Sequence, residues 1–488
     1  MTERIGGKPP LQQFTGPDMP SRVPLRCLAS VSLVAVLGAT PAGSFEFGTG
    51  FDLIQDPQTE IEGLHRFHVG REIAPGLSFG QSIYSAASGD AGGAFFWGFE
   101  MVRSVPLSGA LSLNLSGFVG GGGGAAQVLG DGLMTRANVA LNYAVTPKLG
   151  AELGASWIKI AGAEIDDPAL NFGLTYGLGR GGAAEPLPLR GVSIRATGLA
   201  TSGTNRNGAA QADMALAGAE VAFALGPMTE LTLAGDGAAD GAEGYMQVLG
   251  GLRQRVQLGP VTGFAEGVIG FGGGGLVDTG AGPMVSAGAG ISVPLTQWAD
   301  LDLMLGATTA PDGDFSAKTA QLRLTRVFQR EARATTPGPQ KWAYSFGISM
   351  QDAGSDFRKP GAPGAGNPIM QESSADMFLG ERLYLTGNAQ TALGGEVAGY
   401  AIGMLGLGYE MPLSDRWTLS AEAHLGAAGG GGVNTAGGPV GGLRAELDYA
   451  IHDDLRLSMG LGQIRALKDG GFSAPVAQVG LKLPFETR

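Results

Sequence analysis

The chain runs to 488 residues, 86 of them glycine, with only 16% charged residues and a net charge of −12. A hydrophobic share of 44% excludes an acidic disordered chain, and the absence of glycine at every third position excludes collagen. The acidic balance argues against nucleic acid as a partner, because phosphate binding needs clustered Lys and Arg.

Residues 1–44 read as an export signal behind a short extension. Arg22 and Arg26 lie in a basic region that follows an internal Met19, which is the expected start of translation. Cys27 to Ala39 is an apolar run of signal-peptide length, too short for a helix that spans a bilayer. Small residues at Thr40-Pro-Ala42 or Ala42-Gly-Ser44 supply a cleavage site. Cleavage there removes Cys27, the one cysteine, so no disulfide or thiol chemistry is expected in the mature chain.

Beyond the signal, alternation of period two replaces any long apolar run, which predicts strands with one apolar and one polar face. Leu111, Leu113 and Leu115 oppose Ser112, Asn114 and Ser116; Ala137, Val139, Leu141 and Tyr143 oppose Arg136, Asn138 and Asn142. Further along, Thr418, Ser420, Glu422 and His424 share a polar face, as do Arg444, Glu446 and Asp448. Turn clusters such as Thr146-Pro-Lys148, Leu413-Ser-Asp-Arg416 and His452-Asp-Asp454 separate these runs, and longer glycine tracts alternate with them. Strand, short turn, strand, long loop is the rhythm of antiparallel hairpins.

The pattern is repeated three times. Glycine tracts at 272–275 and 429–432 open two segments that align without a gap at a constant offset of 157 residues, Gly272 to Gly429. Asp312-Gly-Asp-Phe-Ser-Ala317 answers Asp469-Gly-Gly-Phe-Ser-Ala474, and Phe328 answers Phe485. A looser first copy starts from the glycines at 120–124 and closes at Leu178. A period this long exceeds any solenoid repeat, so each copy is a domain-sized unit. The expected units are 45–178, 190–328 and 342–485, each with about eight strands, joined by the linkers Arg180–Arg190 and Gln329–Lys341.

Each copy ends on a similar strand: Asn171-Phe-Gly-Leu-Thr-Tyr-Gly-Leu178, Gln321–Phe328, and Gln478-Val-Gly-Leu-Lys-Leu-Pro-Phe485. This resembles the closing-strand signal of bacterial outer-membrane β-barrels. The resemblance covers about eight residues per copy plus the hairpin rhythm of the mature chain. It implies an all-β, antiparallel outer-membrane-type barrel fold, location in the outer membrane of a Gram-negative bacterium, and lipid and the barrel assembly machinery as partners. Four features depart from it: Arg323 stands where the pattern has glycine, Pro484 interrupts the last strand, Glu486-Thr-Arg488 follow Phe485, and aromatics make up only 7%. A spanning sheet must pair all its backbone groups internally, so the barrels must close. The three copies make three small barrels in tandem or one large barrel of about 24 strands, and the long Pro-bearing linkers favour three.

No catalytic, metal-binding or cofactor-binding residue is assigned, and no cofactor is expected. His65 and His68 have no metal-ligand spacing and are expected on the surface or in a hairpin. His424 with Ser420 and Glu422 has the residue types of a hydrolytic group, but charged pairs filling a small barrel are the expected reading. The glycine tracts lack the Lys-Ser/Thr of a phosphate loop and are expected to be flexible loops or tight hairpins. Asp312-Gly-Asp314 lacks the later acidic ligands of a calcium loop and reads as a turn. The functional expectation is a structural, surface or passive transport role. The rivals are an envelope enzyme acting on lipid or polysaccharide and a soluble secreted β-sandwich array.

Overall fold

The computed structural model describes residues 45–125, 127–178, 188–328 and 340–487. The signal region and most of both linkers lie outside the described residues. The rest is strand and turn, in three closed eight-stranded antiparallel barrels.

The first barrel comprises β1 (Phe45–Ile54), β2 (Ile61–Ala74), β3 (Leu77–Gly89), β4 (Phe95–Ser108), β5 (Leu111–Gly123), β6 (Leu133–Ala144), β7 (Leu149–Ile160) and β8 (Ile165–Leu178). The second comprises β9 (Leu189–Ser202), β10 (Met214–Ala224), β11 (Thr229–Asp240), β12 (Met246–Leu258), β13 (Val261–Gly273), β14 (Pro283–Pro294), β15 (Ala299–Thr309) and β16 (Ser316–Val327). The third comprises β17 (Gln340–Gln351), β18 (Ile369–Phe378), β19 (Leu383–Gly394), β20 (Ala401–Pro412), β21 (Trp417–Gly429), β22 (Pro439–His452), β23 (Leu455–Ala466) and β24 (Ser473–Thr487).

Closure is by the strands that carry the repeated C-terminal pattern. β8 pairs with β1 from Phe45–Leu178 to Ile54–Ala169, β16 with β9, and β24 with β17. The merged 24-stranded barrel therefore does not form. Pro484 costs no rung, because the β23–β24 ladder ends at Lys482 and Pro484 lies beyond it, opposite Ala343 of β17.

The period-two pattern sets which face is which. On β6, Arg136, Asn138, Ala140 and Asn142 are 2–6% exposed, whereas Val139 and Leu141 are 54% and 48% exposed. The inside is thus polar and the outside apolar, reversing a soluble β-sandwich core. At the long-loop end each interior changes character and closes on an apolar plug. Ile54, Met134 and Ile160 seal the first barrel; Leu199, Met284 and Phe315 the second; Val440, Ile464 and Phe472 the third. Phe315 and Phe472 are the phenylalanines of the repeated DG-x-FSA motif, so the best-matched stretch of the repeat is the plug of the barrel mouth.

The three barrels pack side by side in a cyclic order. The strand 3–4 hairpin of each barrel docks against the loop that follows the glycine tract of the next. The β3–β4 hairpin meets the β13–β14 loop, where the Gly92 amide donates to the Gly280 carbonyl at 2.8 Å. The β11–β12 hairpin meets the β21–β22 loop, where Glu243 accepts from Thr435 Oγ1 at 2.7 Å. The β19–β20 hairpin meets the β5–β6 loop, where the amides of Ala398 and Gly399 donate to Gly130 and Gly122, each at 2.7 Å. Where the three walls converge, Ile83, Phe95 and Trp97 of the first barrel, Met246 of the second and Ala389 of the third form one apolar cluster. The glycine tracts, expected to be flexible loops or tight hairpins, lie at these joints between barrels.

Candidate functional site

The residues with the richest chemistry lie inside the barrels. Alternation forces every second side chain inward, and an eight-stranded wall leaves room for little else. In the first barrel, Arg66 Nε lies 2.9 Å from Glu100, and Arg136 Nη2 lies 2.9 Å from Asp52. Ser156 also donates to Asp52, at 2.6 Å. His68 is fully buried here with Nδ1 2.8 Å from Ser82 Oγ, so the expected surface or hairpin position is wrong for this histidine. His68 sits on β2 in phase with Arg66 and so must point inward. His65, one step out of phase, lies on the outer wall, hydrogen-bonded to Thr49 and stacked at 4.6 Å on Phe271 of the second barrel.

The second barrel carries the largest ionic cluster. Arg323 reaches Glu220 at 2.8 Å and Glu266 at 2.9 Å, Arg253 pairs with Glu220, Glu230 and Glu266, and Arg195 reaches Asp236 at 2.9 Å. Arg323 and Arg253 also lie over the Phe264 ring, 4.9 and 5.6 Å from its centroid. At the position of Arg323 the other two copies have Gly173 and Gly480, where the neighbouring strand's backbone comes close: a Cβ there would lie 2.5 Å from the Thr49 and Phe346 carbonyl oxygens. In the second barrel the position instead carries an arginine of the ionic cluster.

In the third barrel Arg444 pairs with Glu372, with Glu422 at 2.6 Å and with Glu446 at 3.0 Å; Lys482 reaches Glu446 at 2.8 Å and Asp448 at 3.2 Å. The sequence correctly put Ser420, Glu422 and His424 on one inward face, and the cross-strand pairs Glu422–Arg444 and Ser420–Glu446 follow from the β21–β22 register. No hydrolytic geometry results. His424 Nε2 is 3.4 Å from Glu422, while the buried Ser420 hydroxyl has no hydrogen-bond partner. Four residues apart on one strand, the two side chains are separated by about 13 Å. Glu422 is committed to Arg444 and to the Tyr384 hydroxyl at 2.8 Å. A void of about 20 Å³ beside Glu372, Glu446 and Gln478, and another of about 10 Å³ beside Arg195 and Glu266, hold one water at most.

Outside the spans, Asp314 accepts from the Thr204 hydroxyl at 2.6 Å and the Thr204 amide at 2.7 Å, and these bonds hold its carboxyl below the usual range. It is a clasp between two loops of one barrel, in keeping with the turn reading of Asp312-Gly-Asp314. His452 pairs with Asp454 at 2.8 Å in the exposed β22–β23 turn. Among the described residues no cluster of His, Cys, Asp or Glu is arranged to hold a metal ion.

What sequence reasoning missed is the inter-barrel joint. Its signal was present: Gly93, Gly244 and Gly399 stand at the same hairpin tip, two residues before the start of the fourth strand, and Gly132, Gly282 and Gly438 stand at the same place in the three loops.

This architecture, closed antiparallel barrels with polar interiors and apolar walls, is of the bacterial outer-membrane type. No family model and no curated protein matches the chain. Among solved structures it is similar to OpdK from Pseudomonas aeruginosa, an outer-membrane protein, at 11% identity and a TM-score of 0.23, covering 91% of this chain and 98% of that one. The siderophore receptor PirA from Acinetobacter baumannii matches at 10% identity and a TM-score of 0.29, covering 92% and 81%. A designed transmembrane β-barrel matches 30% of this chain and 96% of its own length, at 13% identity and a TM-score of 0.19. These likenesses are faint, and the class rests on the strand pairing and the polarity of the two faces.

Proposed function

We propose that the chain is an integral protein of the outer membrane of a Gram-negative bacterium, with a structural or surface role and no conducting pore. The observation that carries this reading is the reversed polarity of the walls: ionic clusters inside, and an apolar belt outside that includes Leu115, Val139, Leu153, Ile269, Leu305, Leu443 and Leu461, each 40–72% exposed. An apolar surface on that scale is stable against lipid and not against water. Exposed aromatics Tyr143, Trp298, Tyr409 and Trp417 lie at the short-turn end, and Phe51, Trp157 and Phe172 lie toward the long-loop end; amphipathic rings of this kind suit membrane interfaces.

A passive transport role would need a lumen. Each barrel is crossed by an ionic cluster, with side chains in the first from β1, β2, β4 and β6 and in the third from β18, β21, β22 and β24, and an apolar plug lies above each one, so the interiors support a sealed barrel. Lipid is then the partner of the outer wall, and the assembly machinery would read β8, β16 or β24. Outer-membrane fractionation with electrophoresis before and after boiling tests the location; a heat-shifted outer-membrane band is expected. Reconstitution in planar bilayers tests the role, with no stable conductance steps expected. Recurrent open channels would sink the sealed-barrel reading, and unshifted soluble protein would sink the membrane reading.

A further inference from the structure

The glycine tracts share one geometry at the joints between barrels. Each tract ends the fifth strand of its barrel at a residue of positive φ: Gly123 (135°), Gly273 (154°) and Gly429 (155°). The same tie braces each loop: Gly122 N to Gly132 O, Gly272 N to Gly282 O and Ala428 N to Gly438 O, at 2.8–3.1 Å. Against each braced loop sits a hairpin tip of one design. Ala94, Tyr245 and Tyr400 donate back to Ala91, Ala242 and Val397, with Gly93, Gly244 and Gly399 at φ of 96°, 99° and 80°. At the first-to-second and third-to-first joints loop and hairpin meet backbone to backbone; at the second-to-third joint Glu243 of the hairpin accepts from Thr435 of the loop. A Cβ on Gly273 would lie 2.5 Å from the Gly93 nitrogen, and one on Gly123 would lie 2.8 Å from the Gly399 nitrogen. Neither approach tolerates a side chain.

We propose that the tracts are docking sockets, each fitting a glycine-tipped β-hairpin of the neighbouring module, and that socket and hairpin assemble the barrels into a ring independently of the linkers. Each module carries one socket and one hairpin on different edges, so the contact is head to tail, and a head-to-tail contact either closes or propagates. Here it closes at three. The joint between the third and first barrels carries the argument, because these two modules are not consecutive in the chain. No linker crosses it, yet it has the two backbone bonds to Gly122 and Gly130, and Asp131 accepts from the Glu396 amide at 3.0 Å. Below them, Gln81 donates to Ser373 at 2.9 Å and also bonds Tyr344. Ion pairs reinforce the other two joints: Arg206 to Asp90 at 3.0 Å and Lys359 to Glu243 at 2.8 Å. With every socket filled, the chain offers no joint to a second copy.

The test uses the full chain, folded in detergent, with a protease site placed in each linker. After both are cut, the three fragments are expected to migrate as one particle of the uncut size on a native gel. Separation into single barrels would overturn the proposal. A second variant, Gly93→Val with Gly244→Val and Gly399→Val, is expected to separate after the same cuts while each fragment keeps its heat-shifted mobility, showing closed barrels. Fragments that stay together in this variant would also overturn it. If the triple variant does not fold, a cysteine pair at Asp131→Cys and Glu396→Cys decides. A disulfide that keeps the first and third fragments together after cutting supports the joint, and its absence under oxidation refutes it. All three readouts concern the particle and not its compartment, so they stand or fall separately from the membrane reading.

Discussion

A buried arginine in these barrels is held by more carboxylates than it can neutralise, which decides what its loss would do. Arg444 is 9% exposed at its side chain and faces Glu372, Glu422 and Glu446. Removing it leaves those charges inside a closed wall, where breaking a buried pair costs about 3–5 kcal/mol. Arg444→Ala is therefore expected to lower the temperature at which the folded band disappears from unboiled gels. An exposed pair behaves differently. Lys159→Ala, which breaks the Lys159–Asp166 bridge with side chains 60% and 54% exposed, should stay within about 1 kcal/mol of the parent. Equal effects of the two substitutions would refute the ionic clusters as the stabilising centres.

At the scale of the strand, the closing element concentrates the risk. β24 makes the final ladder with β17, and Phe485, 7% exposed, stacks on Trp342 of that strand with centroids 6.4 Å apart. Phe485→Ala removes a buried ring, a loss of about 3–5 kcal/mol, at the place where the last barrel closes. The expected result is less folded protein in the membrane and more degraded chain, measured as the heat-shifted fraction. An undiminished fraction would show that Phe485 has no role in closure.

The strands were legible in the sequence because one face meets side chains and the other does not. Val139 and Arg136 fall on opposite faces by their odd and even positions alone. The closing strands were legible as three copies of one pattern. His68 was missed because a lone histidine carries no period of its own, and only its phase with Arg66 on β2 sends it inward. The joints were missed because glycine reports backbone proximity without naming the partner: Gly273 shows that something comes close, and only the fold shows that it is Gly93.

At the scale of the whole molecule, the outward belt asks which solvent it meets, and a single charge can answer. Val139 lies at mid-height in β6, between Leu115 of β5 and Ala155 of β7, and is 54% exposed. Val145, equally exposed at 54%, lies just past the end of the same strand in the short turn. In a bilayer, arginine at the midplane costs about 2–4 kcal/mol and near the interface about 0–1 kcal/mol. In water both positions are surface, and either substitution should stay within about 0.5 kcal/mol. Val139→Arg is thus expected to destabilise the protein in urea titrations from lipid vesicles while Val145→Arg does not. Indifference at both positions would mean the belt is covered by something other than lipid, and the sandwich-array reading would return.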